Sequence, residues 1–316
     1  MEALRIPVGE WAEAVVDVLG DVLRGLFDAV AFVLGAVYDG VDAVLMAPPF
    51  WLLILVLAAA AFAVSGWRLA LGTALGLLVI VAVDQWDNAM DTLALVIVAA
   101  LVAIVIAIPV GIWAARSDTV SRIVRPVLDF LQTMPAFVYL IPAIIFFGVG
   151  AVPGMIATIL FAIAPGVRLT ELGIRGVDGE VVEAGYAFGA SPARVLRQIQ
   201  IPLALPSIMA GINQVIMLSL SMVVIAGMVG AGGLGGEIVR AIGRINVGLG
   251  FEAGLSVVMI AMILDRLTSA LGRPRVPRRA RTAPRPGGHD ARPSRGESAA
   301  DTERSADSTR MERTSA

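Results

Sequence analysis

Glu183-Ala184-Gly185-Tyr186-Ala187-Phe188-Gly189-Ala190-Ser191-Pro192 and, further on, Ile199-Gln200-Ile201-Pro202 form a polar interlude between two long apolar runs. Glu183 to Phe188 suits a short helix, and Gly189 then offers a backbone position free of Cβ. Ser191-Pro192 reads as an N-cap followed by the first residue of a second short helix, expected over 193–200. Pro202 and Pro206 bracket the entry into the next apolar run, where the missing N–H groups favour helix starts and stops over continuation. The expected product is a compact knob projecting from membrane helices. An ordinary amphipathic connector is the plainer alternative.

The flanking composition puts that knob on a membrane protein. Over 316 residues the chain is 58% hydrophobic, with a mean hydropathy of +0.84, far too apolar for a soluble globule. The fold class is therefore all-α and polytopic. Apolar stretches near Pro49 to Gly66, Leu69 to Val83, Thr92 to Ala115, Thr133 to Val149, Pro153 to Val167, Leu205 to Val229 and Glu252 to Leu271 predict about seven transmembrane helices, the short second one being the weakest. No cysteine is present, and the single histidine, His289, lies in a polar tail, which leaves no thiolate metal site and no histidine-based catalysis. Lysine is absent too, so the chain lacks the residue a conventional P-loop ATPase needs at the phosphates.

Charge placement orients the spans. Arg68, then Arg116, Arg122 and Arg125, then Arg168, Arg175, Arg194 and Arg197, then Arg273 onward fall in alternate loops on one side, which the positive-inside rule makes cytoplasmic. The amino terminus is then expected outside, the carboxyl terminus inside, and the Glu183 loop in the cytoplasm. The start Met1-Glu2-Ala3-Leu4-Arg5 lacks the basic opening and continuous apolar core of a signal peptide.

Four regions follow along the chain. Residues 1–48 form an acidic, extracytoplasmic amphipathic segment, as one helix or two in tandem, with Glu10, Glu13, Asp17, Asp21, Asp28, Asp39 and Asp42 opposite an aliphatic stripe. An acidic face suits packing on the rim of the spans better than binding anionic lipid. Residues 49–90 supply two accessory spans, and 91–271 form the core. Residues 272–316 are Arg-, Pro- and Ser-rich with almost no apolar residues, a composition that predicts disorder. The arginines from Arg273 to Arg285 read as a stop-transfer flank, with anionic headgroups as their second use.

The loop resembles the EAA loop of ABC importer permeases, whose usual form is EAA, three residues, Gly, nine residues, then I-x-L-P; Gly185 and Ile201 are the departures here. In that family the loop docks into a groove on the ATPase subunit. Glu183, Ala184, Gly185, Gly189, Ile199, Ile201 and Pro202 are the residues that the resemblance assigns to coupling. Arg125 to Pro142, Ile201 to Gln214, Leu218 to Ala226 and Leu264 to Thr268 narrow it to the glycine betaine/proline betaine permease family over roughly Asp91 to Leu271. The resemblance implies a type I importer permease fold, a homodimer, a separate ABC ATPase carrying ATP and Mg, an extracytoplasmic substrate-binding protein, no cofactor in this chain and no nucleic-acid partner. It also implies residence in the cell membrane and, as the substrate, glycine betaine or a related quaternary ammonium osmoprotectant; choline, carnitine or an amino acid is the alternative.

Quaternary ammonium groups are held in aromatic cages. The five tryptophans include Trp51, Trp67, Trp86 and Trp113, all near span ends, so no intramembrane cage is available and high-affinity recognition falls to the binding protein. Helix periodicity offers a weaker path: Asn213, Met217 and Ser221 share a face with Gln214 beside it, and Gln132 and Tyr139 are one heptad apart, as are Pro135 and Pro142. Each has a plainer reading as a helix-packing group, and Tyr139 as a partner for a carbonyl freed at a kink.

Gly230, Gly232 and Gly235 match a dinucleotide-binding pattern only in letters, because no βαβ unit surrounds them. They are expected to form a tight external turn with closely approaching helices. Arg168, Glu171 and Arg175 are spaced to pair along one helix face. A secondary transporter or channel is the rival class. It predicts a carboxylate in the span interiors, where none is expected, since Asp84, Asp87 and Asp91 fall in an external loop.

Overall fold

The structure, a computed structural model, describes residues 8–271, and among these every regular element is helical. The amino-terminal segment forms two helices, α1 (Val8–Val22) and α2 (Arg24–Met46), joined at Leu23. A Pro48-Pro49 pair then starts α3 (Phe50–Ser65), which turns at Gly66 into α4 (Trp67–Ala82). The helix α5 (Trp86–Arg116) follows, then α6 (Asp118–Thr133) and α7 (Ala136–Phe147), then α8 (Ala151–Arg175). Beyond it lie α9 (Gly179–Ala187), α10 (Pro192–Val195), α11 (Ile201–Ser221), α12 (Val223–Met228), α13 (Gly233–Gly243) and α14 (Val247–Leu271). The arginine-rich tail from 272 lies outside the described residues.

The core forms where α5, α8 and α11 pack along one another. Small side chains make this possible: Ala99, Ala103, Ala107, Ala162 and Ala164 are buried on the facing surfaces. Without a hydrophobic drive between helices in lipid, close van der Waals contact through small residues is what holds spans together. A second cluster joins Ile80, Met90, Leu93 and Ile260, where α4, α5 and α14 meet.

By length and hydropathy α2, α5, α8, the continuous 192–228 stretch and α14 are each long and apolar enough to cross a membrane, while α3 and α4 are shorter apolar helices. Contacts separate α2 from the rest. Near one end Phe27 stacks on Phe146 with ring centroids 4.4 Å apart, and near the other Leu45 packs with Leu53 and Ile54 at the start of α3. Phe146 closes α7 and Phe50 meets Trp86 at the opening of α5, so both ends of α2 lie at the same end of the bundle. The helix rests across α5, α7 and α8.

The expected fourth span, Thr133 to Val149, holds the 12-residue α7 (Ala136–Phe147) and opens on a sharp break. The helix breaks at Met134–Pro135, and α6 and α7 meet at 98°. Met134 takes an extended backbone and ends α6, because a residue before proline is driven out of the helical region, and Pro135 then caps α7. Pro142, by contrast, sits inside α7 without interrupting it. The strongly amphipathic α6 therefore runs across the bundle end that carries Arg116 and Arg175, rather than into the apolar core.

At the opposite end the glycine-rich turn forms as expected. Gly230, Gly232 and Gly233 take positive φ values of 84°, 74° and 61°. Gly227 and Gly235 bring α12 and α13 into backbone contact: a Cβ on Gly235 would lie 2.1 Å from the Val223 carbonyl oxygen. The Leu234 amide donates to the buried Thr92 hydroxyl at 2.8 Å, fixing α13 to the first turns of α5. Arg240, on this far side, pairs with Glu237 at 2.5 Å.

Candidate functional site

The interlude from Asp178 to Pro202 folds as a helical hairpin. Asp178 caps α9, accepting from the Glu180 amide at 2.9 Å. The chain leaves α9 at Phe188, turns at Gly189 with φ 74°, and re-enters a helix at Pro192. Ser191 occupies the cap position in an extended conformation, but its hydroxyl makes no capping hydrogen bond. Its carbonyl accepts from the Arg194 and Val195 amides instead, both at 2.9 Å.

Pro202 and Pro206 do not divide the second helix from the next span, contrary to expectation. From Leu196 to Gln200 the helix widens into a π turn and runs directly into α11. Pro202 falls in the first turn of α11, where a missing N–H is tolerated, so the second limb of the hairpin and the span form one continuous helical run.

The hairpin presents one face and buries another. Gly185 is buried against Val195 and Ile199, and a Cβ there would lie 2.6 Å from the Ile199 Cδ1. The usual alanine would press on the tip of this side chain. Glu183, Ala184, Gly189 and Pro202 are exposed, while Ile199 and Ile201 are half-buried. Phe188, at the tip, is 92% exposed, and Tyr186 and Val181 are also exposed. These apolar groups were not singled out from sequence, although an aromatic next to the motif glycine was the available signal.

An ionic cluster braces the helix leading into the hairpin. Glu171, only 3% exposed, accepts from Ser121 at 2.7 Å and Arg125 at 2.9 Å, both on α6. Arg175 pairs with it at 3.1 Å one turn later, and also donates to Asp118 at 2.7 Å and to the Ala114 carbonyl at 2.8 Å. That hydrogen bond, and the guanidinium charge behind it, holds the exposed Asp118 carboxyl below its ordinary value. Arg168 turns away from Glu171 and pairs with Asp129, so the expected three-residue ladder exists only between Glu171 and Arg175. The bridges tie α6 to α8 and α5, which explains why α6 lies across the bundle instead of entering it.

The path candidates divide. Asn213 on α11 donates to Asp265 of α14 at 3.2 Å and accepts from Thr268 at 2.5 Å. Asp265 thus stands within the expected seventh span, where no carboxylate is expected, whereas Glu171 follows the expected fifth span within the same helix α8. Both lie near the helix ends and are hydrogen-bonded, the arrangement that makes a carboxylate tolerable there. Met217 is half-buried, and Gln214 and Ser221 are exposed; the Ser221 hydroxyl donates to the Met217 carbonyl at 3.0 Å. Gln132 and Tyr139 do not share a face, because the 98° break falls between them. Gln132 is exposed on α6, whereas Tyr139 is buried on α7 and donates to the Leu131 carbonyl freed at the break.

Known proteins with this pattern are membrane permeases. The chain is 47% identical over 272 residues to the glycine betaine/carnitine transport permease protein GbuB of Listeria monocytogenes, covering 85% of this chain and 96% of that one. It is 46% identical over 268 residues to the glycine betaine/proline betaine permease ProW of Escherichia coli, covering 85% and 76%. The trimethylamine N-oxide permease TmoV of Ruegeria pomeroyi is 37% identical, with 85% of this chain and 43% of that one covered. Among solved structures, the inward-facing MetNI methionine ABC transporter shares the fold at a TM-score of 0.55 and 20% identity, over 60% of this chain and 94% of that one. The profile of the binding-protein-dependent transport system inner membrane component family matches residues 107–275, and together with these relatives it places the chain in that family, as a multi-pass permease component of an ABC importer rather than an enzyme.

Proposed function

We propose that this permease carries glycine betaine or a closely related fully methylated ammonium osmolyte into the cell, as two copies joined to two ATPase subunits and served by an extracytoplasmic binding protein. ATP and Mg belong to the ATPase. The observation that carries this reading is the exposed hairpin of α9 and α10, set on a chain aligned along most of its length with betaine permeases. Betaine, carnitine and trimethylamine N-oxide, the substrates in those relatives' names, each carry a fully methylated nitrogen and an anionic oxygen in one molecule.

Glu183, the Gly189 turn and the apolar tip at Tyr186 and Phe188 dock onto the ATPase. The π turn and α11 transmit its movement to the span without a flexible joint. The hairpin faces the cytoplasm and α1 and α2 lie outside. The arginines of α6, α8 and the hairpin gather on the cytoplasmic side, while far-side Arg240 is paired with Glu237. Met217 and Ser221, with Gln214 beside them, form the open polar face for the substrate, and Asn213 borders it while clamping α11 to α14. Amide, hydroxyl and thioether groups exchange with a zwitterion's water without trapping it.

The test is reconstitution of the permease with its ATPase and binding protein in liposomes, followed by uptake of labelled glycine betaine, carnitine, choline and proline. ATP-dependent uptake of betaine in excess of proline supports the reading. Uptake of amino acids alone rejects the substrate, and uptake without the ATPase rejects the coupling mechanism.

A further inference from the structure

The helices α4 and α14 run antiparallel, with Gly76 lying against Met259 and Ile263. Toward the hairpin end of the bundle they part to leave a groove of about 640 Å³. Its apolar lining comes from Leu69, Met259, Met262 and Ile263, and Arg68 and Arg266 line it as well. Both arginines are exposed, and neither has an acidic partner among the described residues. The Arg68 guanidinium carbon sits 5.7 Å from the Trp67 ring centroid, an arrangement suited to the headgroup layer. Thr73 also lines the groove; it is 1% exposed, and its hydroxyl has no hydrogen-bond partner.

We propose that this groove binds an anionic phospholipid from the leaflet on the hairpin side, with the phosphate between Arg68 and Arg266 and an acyl chain along α4 and α14. Two guanidinium groups match phosphate geometry and repel the extra cation of a choline headgroup. The adaptable methionine lining fits a flexible hydrocarbon chain, which a free phosphate ion would leave unused. The rims carry exposed Leu71, Leu75 and Val258, as surfaces facing lipid do.

Trp67 provides the readout. In a variant retaining Trp67 as its only tryptophan, placed in phosphatidylcholine nanodiscs, brominated phosphatidylglycerol should quench Trp67 as strongly as a roughly thirtyfold higher fraction of brominated phosphatidylcholine, the scale expected for two arginines near a headgroup. Arg68→Gln with Arg266→Gln should remove the preference, whereas the paired lysine replacements should keep it, which guards against misfolding as the cause. A matching variant with only Trp113 should be unaffected by the glutamine pair. Equal quenching by the two lipids in the parent overturns the proposal, as does a preference surviving the glutamine pair. Displacement of the brominated lipid by inorganic phosphate also overturns it, by making the site a free-anion site.

Discussion

Two buried glycines, Gly235 at the far end and Gly185 in the hairpin, do different work. A methyl group on Gly235 would meet the Val223 carbonyl oxygen at 2.1 Å and on Gly227 the Gly235 carbonyl carbon at 2.3 Å, so backbone faces backbone. At Gly185 the obstruction is the tip of one isoleucine. The far end is therefore locked by main chain that cannot yield, whereas the hairpin is fitted by side chains that can. The closure of α12 on α13 is thus fixed, whereas the hairpin has room for some variation at its inner contact.

The largest effect is expected from Gly235→Ala. Neither the Val223 carbonyl nor the adjoining turn can retreat without separating α13 from Thr92, and overpacking of this kind destabilises by about 3 kcal/mol or more. Thermal unfolding and elution in mild detergent should both reveal a damaged protein. A monodisperse variant with an unchanged melting temperature would mean that α12 and α13 can part, and the contrast with the hairpin would collapse.

Next come Glu183→Ala and Gly189→Leu. Leucine at a φ of 74° is strained by about 1–2 kcal/mol, but the turn is exposed and the spans do not depend on it. Both variants should insert and assemble normally while ATP-driven uptake falls at least about tenfold, equivalent to roughly 1.4 kcal/mol at the coupling step. Pull-down of the ATPase should weaken in parallel. Wild-type uptake in both would reject this hairpin as the coupling element.

Asn213→Leu sharpens the division between clamp and path. It removes hydrogen bonds to Asp265 and Thr268, and losses of this kind amount to about 1–3 kcal/mol where a charged group is involved. The melting temperature should drop, while uptake per folded transporter falls less than in a Ser221→Leu variant. Unchanged stability with abolished uptake would place Asn213 among the groups the substrate touches.

The hairpin was legible because its signals are local: Glu183, Gly189, the Ser191-Pro192 pair and the Ile199-to-Pro202 tail at fixed offsets specify a turn before any packing exists. The all-α, polytopic class was legible through hydropathy alone, although α2 is also long and apolar enough to cross a membrane and its sequence reads as an amphipathic segment. What sequence could not decide were choices made by distant partners. Pro135 and Pro142 look alike at heptad spacing, yet only the first becomes a break, where Tyr139 satisfies the Leu131 carbonyl and Glu171 draws α6 sideways. The π turn escaped notice because nothing in Leu196 to Gln200 distinguishes it from an ordinary helical turn. Asn213 read as a path residue by its face, but its partners on α14 lie more than 50 positions away in sequence.

The smallest effect is expected at Gly185, and it tests the opening comparison most closely. Gly185→Ala restores the residue that the EAA pattern usually carries there. Within α9 the change should gain about 0.8–1 kcal/mol of helix propensity. Against this, the Ile199 side chain must leave its present rotamer, at about 0.5–1.5 kcal/mol if it is forced off a staggered well. Ile199 is half-buried, with room on its solvent side, so it can change rotamer and the two terms should nearly cancel. Uptake and melting temperature should stay close to those of the parent. A loss of several kcal/mol would mean that Ile199 is held in place by the start of α11 and that the hairpin is as rigid as the far end. Coupling would then depend on one exact packing arrangement at the knob, and Ile199→Val should rescue Gly185→Ala by withdrawing the offending Cδ1.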